Sequence, residues 1–132
     1  MKLAASIIIW VVALFYAYGA LVHVMNMLSL TGFDWQSAPS KWQALDIIYL
    51  ILDVVVVAGF LLSWKAGYAA FYVAALSQIL LYTVFRSWIM DVPAEFAVSE
   101  EQQSYLTGLV IFHVLTLILV SFALKVKLAP PT

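Results

Sequence analysis

The stretch from Leu45 to Trp64 is apolar and long enough to cross a bilayer, yet it carries a carboxylate, Asp53, near its middle. Hydrocarbon about 30 Å thick is crossed by about 20 helical residues rising about 1.5 Å each. The run Val54-Val55-Val56-Val57 would favour a strand in water. In lipid, only a helix or a closed barrel satisfies its own backbone. On a helix, Asp46, Tyr49 and Asp53 stand at i, i+3 and i+7 and share one face. An Asp at mid-membrane costs roughly 2.5–3.5 kcal/mol on insertion scales, so that face should turn into the protein. Two roles are open to Asp53: a hydrogen-bonded structural group, or a working proton or ligand group. Gly59 allows another backbone to come close near the inner end of the span.

Composition agrees with a lipid setting. Of 132 residues, 66% are hydrophobic and 10% charged, against about half and a quarter in soluble domains. The net charge of -1 offers no electrostatic footprint for nucleic acid. Cysteine is absent, which excludes disulfides, thiol redox chemistry, iron–sulfur ligation and cysteine zinc sites.

The hydropathy pattern predicts an all-α polytopic membrane protein: one domain over residues 1–132, with spans at about 7–30, 45–64, 67–88 and 104–124. In the first span Tyr16, Gly19, His23 and Asn26 form a polar stripe. A signal peptide is the competing reading, with Lys2, an apolar run and Ala17-Tyr18-Gly19 as cleavage site. The apolar run continues well past that site, which favours a span. Thr31 to Ala44 reads as a loop, with Trp35 and Trp42 at the membrane interface and Ser40 or Asp46 as cap of the second helix. Trp64-Lys65-Ala66-Gly67 reads as a tight turn, making helices two and three an antiparallel hairpin. Helix three has a small-residue side, and Gln78, Tyr82 and Arg86 lie along one face. Asp91 to Gln103 is a second polar loop. Ser99 and Gln102 have the spacing of a capping box. Tyr105, Leu109, His113 and Thr116 share a face of the fourth span, and the basic tail from Lys125 to Thr132 should fray.

Cation placement sets the topology. Lys2, Lys65, Lys125 and Lys127 fall on one side, Lys41 and Arg86 on the other beside the acids. The positive side faces the cytoplasm. The expected arrangement is an up-down antiparallel four-helix bundle in a bacterial inner (plasma) membrane, with both termini cytoplasmic.

That topology sorts the polar residues by depth. His23 lies about 10 Å and His113 about 13 Å from the outer end of their helices. Asn26, Asp46, Tyr49 and Tyr82 belong to the same half, with Asp53 and Gln78 just below. These eight are the candidate lining of an outward-facing intramembrane pocket. Three ligands suit such residues. His23 and His113 could supply both axial ligands of one haem b. His23 and Met27 share a face and are soft enough for copper(I). A quinone-like molecule could be held by His, Tyr and Asp between the walls of Tyr16, Tyr18, Tyr49, Tyr72, Tyr82 and Tyr105. Arg86 either snorkels to the outer surface or pairs with Asp46. No triad, phosphate loop or HExxH motif appears, so catalysis is not expected.

The segment Phe15 to His23 resembles the end of helix one in DoxX-like membrane proteins, where a phenylalanine, a glycine and a histidine or lysine follow one another. Trp42 to Gly67 resembles that family's second helix, which ends in a glycine, apolar residues, a base and a second glycine before a small-residue third helix. The resemblance covers about residues 10–85. It implies a four-helix integral membrane protein. Some DoxX relatives are subunits of quinone-linked oxidoreductases, and others are associated with redox homeostasis.

Together these readings lead to an accessory or binding subunit of a redox-linked system that holds a quinone-like or haem ligand. The alternatives are a structural small subunit packed against larger membrane-protein partners, or an oligomeric carrier of a small solute or metal.

Overall fold

A computed structural model describes residues 1–130. Pro131 and Thr132, the end of the basic tail, lie outside the described residues. The chain is all-helical, with no strand among the described residues. Helix α1 is Lys2–Met27, α2 Ser40–Leu62, α3 Lys65–Leu81, α4 Arg86–Met90 and α5 Glu100–Leu128, with 3-10 turns at Trp35–Ser37 and Ala94–Phe96. Helices α1, α2 and α5 are long and apolar enough to cross a membrane; α3 is apolar and shorter.

The surface fits this composition. Ile7, Trp10 and Leu14 of α1, Ile48, Ile51 and Val54 of α2, Val73 and Leu80 of α3, and Ile111, Leu115 and Ile118 of α5 are all exposed. A water-soluble bundle turns charged and polar side chains outward. This one turns aliphatic side chains outward on every long helix, which is the surface of an integral membrane protein.

Helix α1 packs on α2 and α5, α2 on α3, and α3 on α5, so the four longer helices close a ring. Contacts run in opposite chain directions across each polar seam. Tyr49 of α2 meets Ser77, while Gly59 further along meets Gly67. Tyr72 of α3 meets Ser121, while Gln78 meets His113. Neighbouring helices are therefore antiparallel. Away from the loop-bearing end, Val56, Phe71 and Val120 are fully buried, with Ala74, Ala75 and Ala123 between them. Rings of Tyr16, Phe60 and Tyr72 surround Phe71.

Several boundaries differ from the sequence expectation, each for a local reason. Helix α2 begins at Ser40 rather than Leu45, after Pro39, and neither Ser40 nor Asp46 caps it. The tight turn sits at Ser63-Trp64. Ser63 adopts a left-handed φ of 56°, and the Trp64 N–H closes back on the Gly59 carbonyl at 2.9 Å. Gly67 is inside α3 instead, against Gly59. Helix α3 stops at Leu81, short of Trp88. Thr83 turns its hydroxyl onto the Ile79 carbonyl at 2.6 Å, and the Phe85 N–H reaches the Leu80 carbonyl at 3.0 Å. Such local bonds compete with the helical ladder.

The basic tail is helical through Leu128 rather than frayed. Lys125 and Lys127 lie in the last turn of α5, where cations suit the helix dipole, and Lys127 Nζ donates to Ser63 Oγ at 3.0 Å. The start of α5 has the capping box: Ser99 Oγ accepts from the Gln102 N–H and Gln102 Oε1 from the Ser99 N–H.

The Gly59–Gly67 crossing sets the hairpin. A Cβ added at Gly67 would lie 2.2 Å from Gly59 Cα, and no rotamer change relieves a clash with backbone. Gly67→Ala should destabilise the protein by about 2 kcal/mol or more, read as earlier unfolding in detergent. Gly108→Ala, where nothing lies within 4 Å of an added Cβ, should unfold with the parent protein or slightly later. Parental unfolding of Gly67→Ala would contradict the close approach.

Candidate functional site

Between the ends of the helices on the loop side lies a cavity of about 850 Å³. His23 and Asn26 from α1, Asp46, Tyr49 and Asp53 from α2, Gln78 from α3, Tyr82 just beyond it, and His113 from α5 all line it. Phe33 and Phe96 of the two loops close its upper end, and Phe112 contributes to the wall.

Asp46 is the hub. Its Oδ1 accepts from His23 Nδ1–H at 2.7 Å and from Asn26 Nδ2 at 2.9 Å, and its Oδ2 accepts from Trp35 Nε1 at 2.9 Å. A carboxylate only accepts here, so the proton between Asp46 and His23 sits on Nδ1. Asn26 extends the network, its Oδ1 accepting from Thr31 Oγ1 at 2.6 Å. One buried side chain thus holds α1, the first loop and α2 together.

With Nδ1 held, the His23 ring stacks on Tyr49 at 6.2 Å between centroids and turns Nε2 toward Asp53. The separation from Asp53 Oδ2 is 3.7 Å, beyond hydrogen-bond distance. With Nδ1 bound to Asp46, Nε2 is the ring nitrogen left for the cavity. The same Oδ2 is fitted to Gly19, where an added Cβ would come within 2.7 Å of it. Glycine at that position lets the carboxylate lie against the α1 backbone.

A second polar group lies across the cavity. His113 is buried on α5, and its Nε2 is 3.0 Å from Gln78 Oε1. Donation from Nε2 to that carbonyl leaves Nδ1 as an acceptor. Nδ1 is buried without a partner among the described residues, as is the hydroxyl of Tyr16. Tyr16, which spacing placed in the α1 stripe and among the aromatic walls of a ligand site, lines the cavity. Tyr49 spends its hydroxyl on Ser77, at 2.8 Å.

Several expected roles change. Trp35 is a hydrogen-bond donor to Asp46, and Trp42 donates to the Ile89 carbonyl at 3.0 Å. Both rings fasten loops. Arg86 does not pair with Asp46: its Nη2 donates to the Gln103 carbonyl and to Thr107 Oγ1, tying α4 to α5. The two histidines have different neighbours: His23 Nε2 faces Asp53 Oδ2 at 3.7 Å, and His113 Nε2 lies 3.0 Å from Gln78 Oε1. Met27 is not part of the cavity wall. No cluster of three or more metal-ligating side chains occurs among the described residues.

No family model, curated protein or solved structure matches this chain.

The hydrogen bonds separate the two carboxylates by task. Asp46→Ala leaves three N–H donors without their charged acceptor and should cost about 3 kcal/mol or more in unfolding measurements in detergent. Asp53→Asn, close in shape and at a carboxylate without such bonds, should stay within about 1 kcal/mol of the parent. Comparable losses in both variants would remove Asp46 as the organising group.

Proposed function

We propose that the chain is an integral membrane binding protein that holds a quinone-type head group in this cavity, as an accessory subunit of a redox-linked membrane system. One observation carries the reading. Four buried polar atoms lack partners among the described residues, Tyr16 Oη, His113 Nδ1, Tyr68 Oη and Arg86 Nε; the first two belong to cavity-lining residues, and they accompany an oriented histidine whose Nε2 is also free of a hydrogen bond. Buried polar groups are normally paired, so a polar ligand is what would complete them.

The donor and acceptor pattern favours a ring with oxygens at two ends. A hydroxyl at one end donates to His23 Nε2 or to Asp53. An oxygen at the other accepts from Tyr16 and donates to His113 Nδ1. That is the pattern of a quinol. Rings of Tyr49 and Phe112 supply flat walls, and a cavity of about 850 Å³ is in the range of small-molecule sites. The resemblance to DoxX-like proteins, some of them subunits of quinone-linked oxidoreductases, supports the same ligand class. The role assigned is binding; no group of the cavity is given a catalytic step.

The membrane placement belongs to the same proposal. Helix α3 with the turn and α4 after it makes the fourth crossing. Lys2, Lys65, Lys125 and Lys127 face the cytoplasm, and the acidic loops face outward, across a bacterial inner membrane. The clasp between Lys127 and Ser63 supports this by bringing the basic tail to the α2–α3 turn.

Binding of ubiquinone-2, kept in its reduced quinol form, to protein in lipid nanodiscs tests the reading. Asp53→Leu and His23→Ala should each weaken binding about tenfold or more, the value of one good hydrogen bond. Asp53→Leu should still fold. Parental affinity in that variant would overturn the pocket assignment.

A further inference from the structure

Resting on that reading, we infer that the ligand reaches the cavity sideways, from the bilayer, through the seam between α1 and α5, and that its apolar tail leaves by the same gap.

The seams of the ring are not alike. Helices α1 and α2 are joined by His23–Asp46, α2 and α3 by Tyr49–Ser77, and α3 and α5 by His113–Gln78 and Tyr72–Ser121. No side-chain hydrogen bond joins α1 to α5 among the described residues. Their contact at the cavity floor is apolar: the rings of Phe15 and Phe112 meet with centroids 5.0 Å apart.

Toward the loop end, the residues of this seam belong to the cavity wall and to the outer surface at once. Tyr18 on α1 is 62% exposed and Tyr105 on α5 is 61% exposed, and both line the cavity. Gly108, one turn along α5 from Tyr105, also lines it, is exposed, and has nothing within 4 Å of the place a Cβ would occupy. By contrast, the lining residues Asp46, Tyr49 and Asp53 on the far wall are buried. The wall between α1 and α5 is therefore one side chain thick, and at Gly108 it has no side chain at all.

The level of the gap identifies what lies outside it. Val22 and Leu109 line the cavity beside the gap, and Leu21 and Ile111 are exposed near it. An opening among exposed aliphatic residues of spanning helices faces hydrocarbon, where water-soluble ligands are scarce and isoprenoid tails are at home. A quinone bound by its ring at His23 and His113 needs such an exit for its tail.

Two probes, both kept in their reduced quinol form, test the inference in nanodiscs: ubiquinone-10, which has a long tail, and ubiquinone-0, which has none. The variant is Gly108→Phe, which puts a ring into open space and should keep parental thermal unfolding. The parent protein should bind both probes. Gly108→Phe should bind ubiquinone-0 within about twofold of the parent and ubiquinone-10 at least tenfold more weakly. Unchanged binding of ubiquinone-10 would overturn the portal and leave the pocket standing. Equal loss of both probes would place Gly108 in the ring site and also overturn the portal. Binding of neither probe by the parent would overturn the quinone reading and the portal with it.

Discussion

The arrangement depends on one carboxylate. Asp46 accepts three N–H bonds, from α1, from the first loop and, through His23, from the ring that faces the cavity. Burying a carboxylate costs several kcal/mol, and its three N–H donors serve largely to offset that cost. The terms nearly cancel, so net stability is a weak reason for this residue. Orientation is a stronger one. With Nδ1–H fixed on Asp46, His23 can present only Nε2 to the cavity. Trp35, bound to the other oxygen, brings the first loop down onto α2, and that loop carries Phe33 to the top of the cavity. Remove the carboxylate and the tautomer, the loop and the roof all lose their common support.

The cavity and the length of α3 are two sides of one fact. Seventeen residues reach about 25 Å, less than the roughly 30 Å of hydrocarbon. Where α3 is present, its small residues Ala70, Ala74 and Ala75 let the neighbours close to full contact around Phe71. Above Leu81 that column of the bundle is missing. Its place is taken by the turn after α3, by α4, and by loop aromatics such as Trp42 and Phe96, which pack edge-to-face at 6.0 Å. These cap the bundle without filling it. The polar residues gather at this level because it is where the helices leave room to satisfy them.

Much of this could be read from spacing. Helical periodicity alone puts Asp46, Tyr49 and Asp53 on one face and His23 and Asn26 on another. Counting inward from the charged ends puts both faces, and His113, at one depth. Those are local or additive properties, and the structure brings all eight candidate residues to one cavity. Contacts that depend on a loop's path were not legible. Trp35 looks like an interface ring because amphipathic rings usually are, and nothing within reach of its sequence signals a bond to Asp46. The end of α3 was hidden for a different reason. Tyr82-Thr83-Val84-Phe85 contains neither glycine nor proline, and its hydropathy continues the span. The break comes from a threonine hydroxyl competing for a carbonyl, which hydropathy does not register. Tyr16 was visible in the α1 stripe and among the aromatic walls; what spacing could not show is that its hydroxyl is buried without a partner among the described residues.

The unclasped α1–α5 seam follows from how helices associate in lipid. Acyl chains are as apolar as leucine, so burying aliphatic surface between helices gains little, and packing with interhelical hydrogen bonds does most of the work. Three seams of this ring have such bonds. The fourth relies on close packing below Phe15 and Phe112, where Val12, Ala13, Val120 and Ala123 are buried in one core. Above that pair it has neither a polar clasp nor a filled interior. A local opening there breaks no hydrogen bond and exposes only groups that lipid already suits, whereas opening any other seam leaves buried donors or acceptors unpaired in hydrocarbon. The path of least cost into the cavity is therefore fixed by where the sequence placed its interhelical polar pairs, and α1 and α5 are the two neighbours that share none.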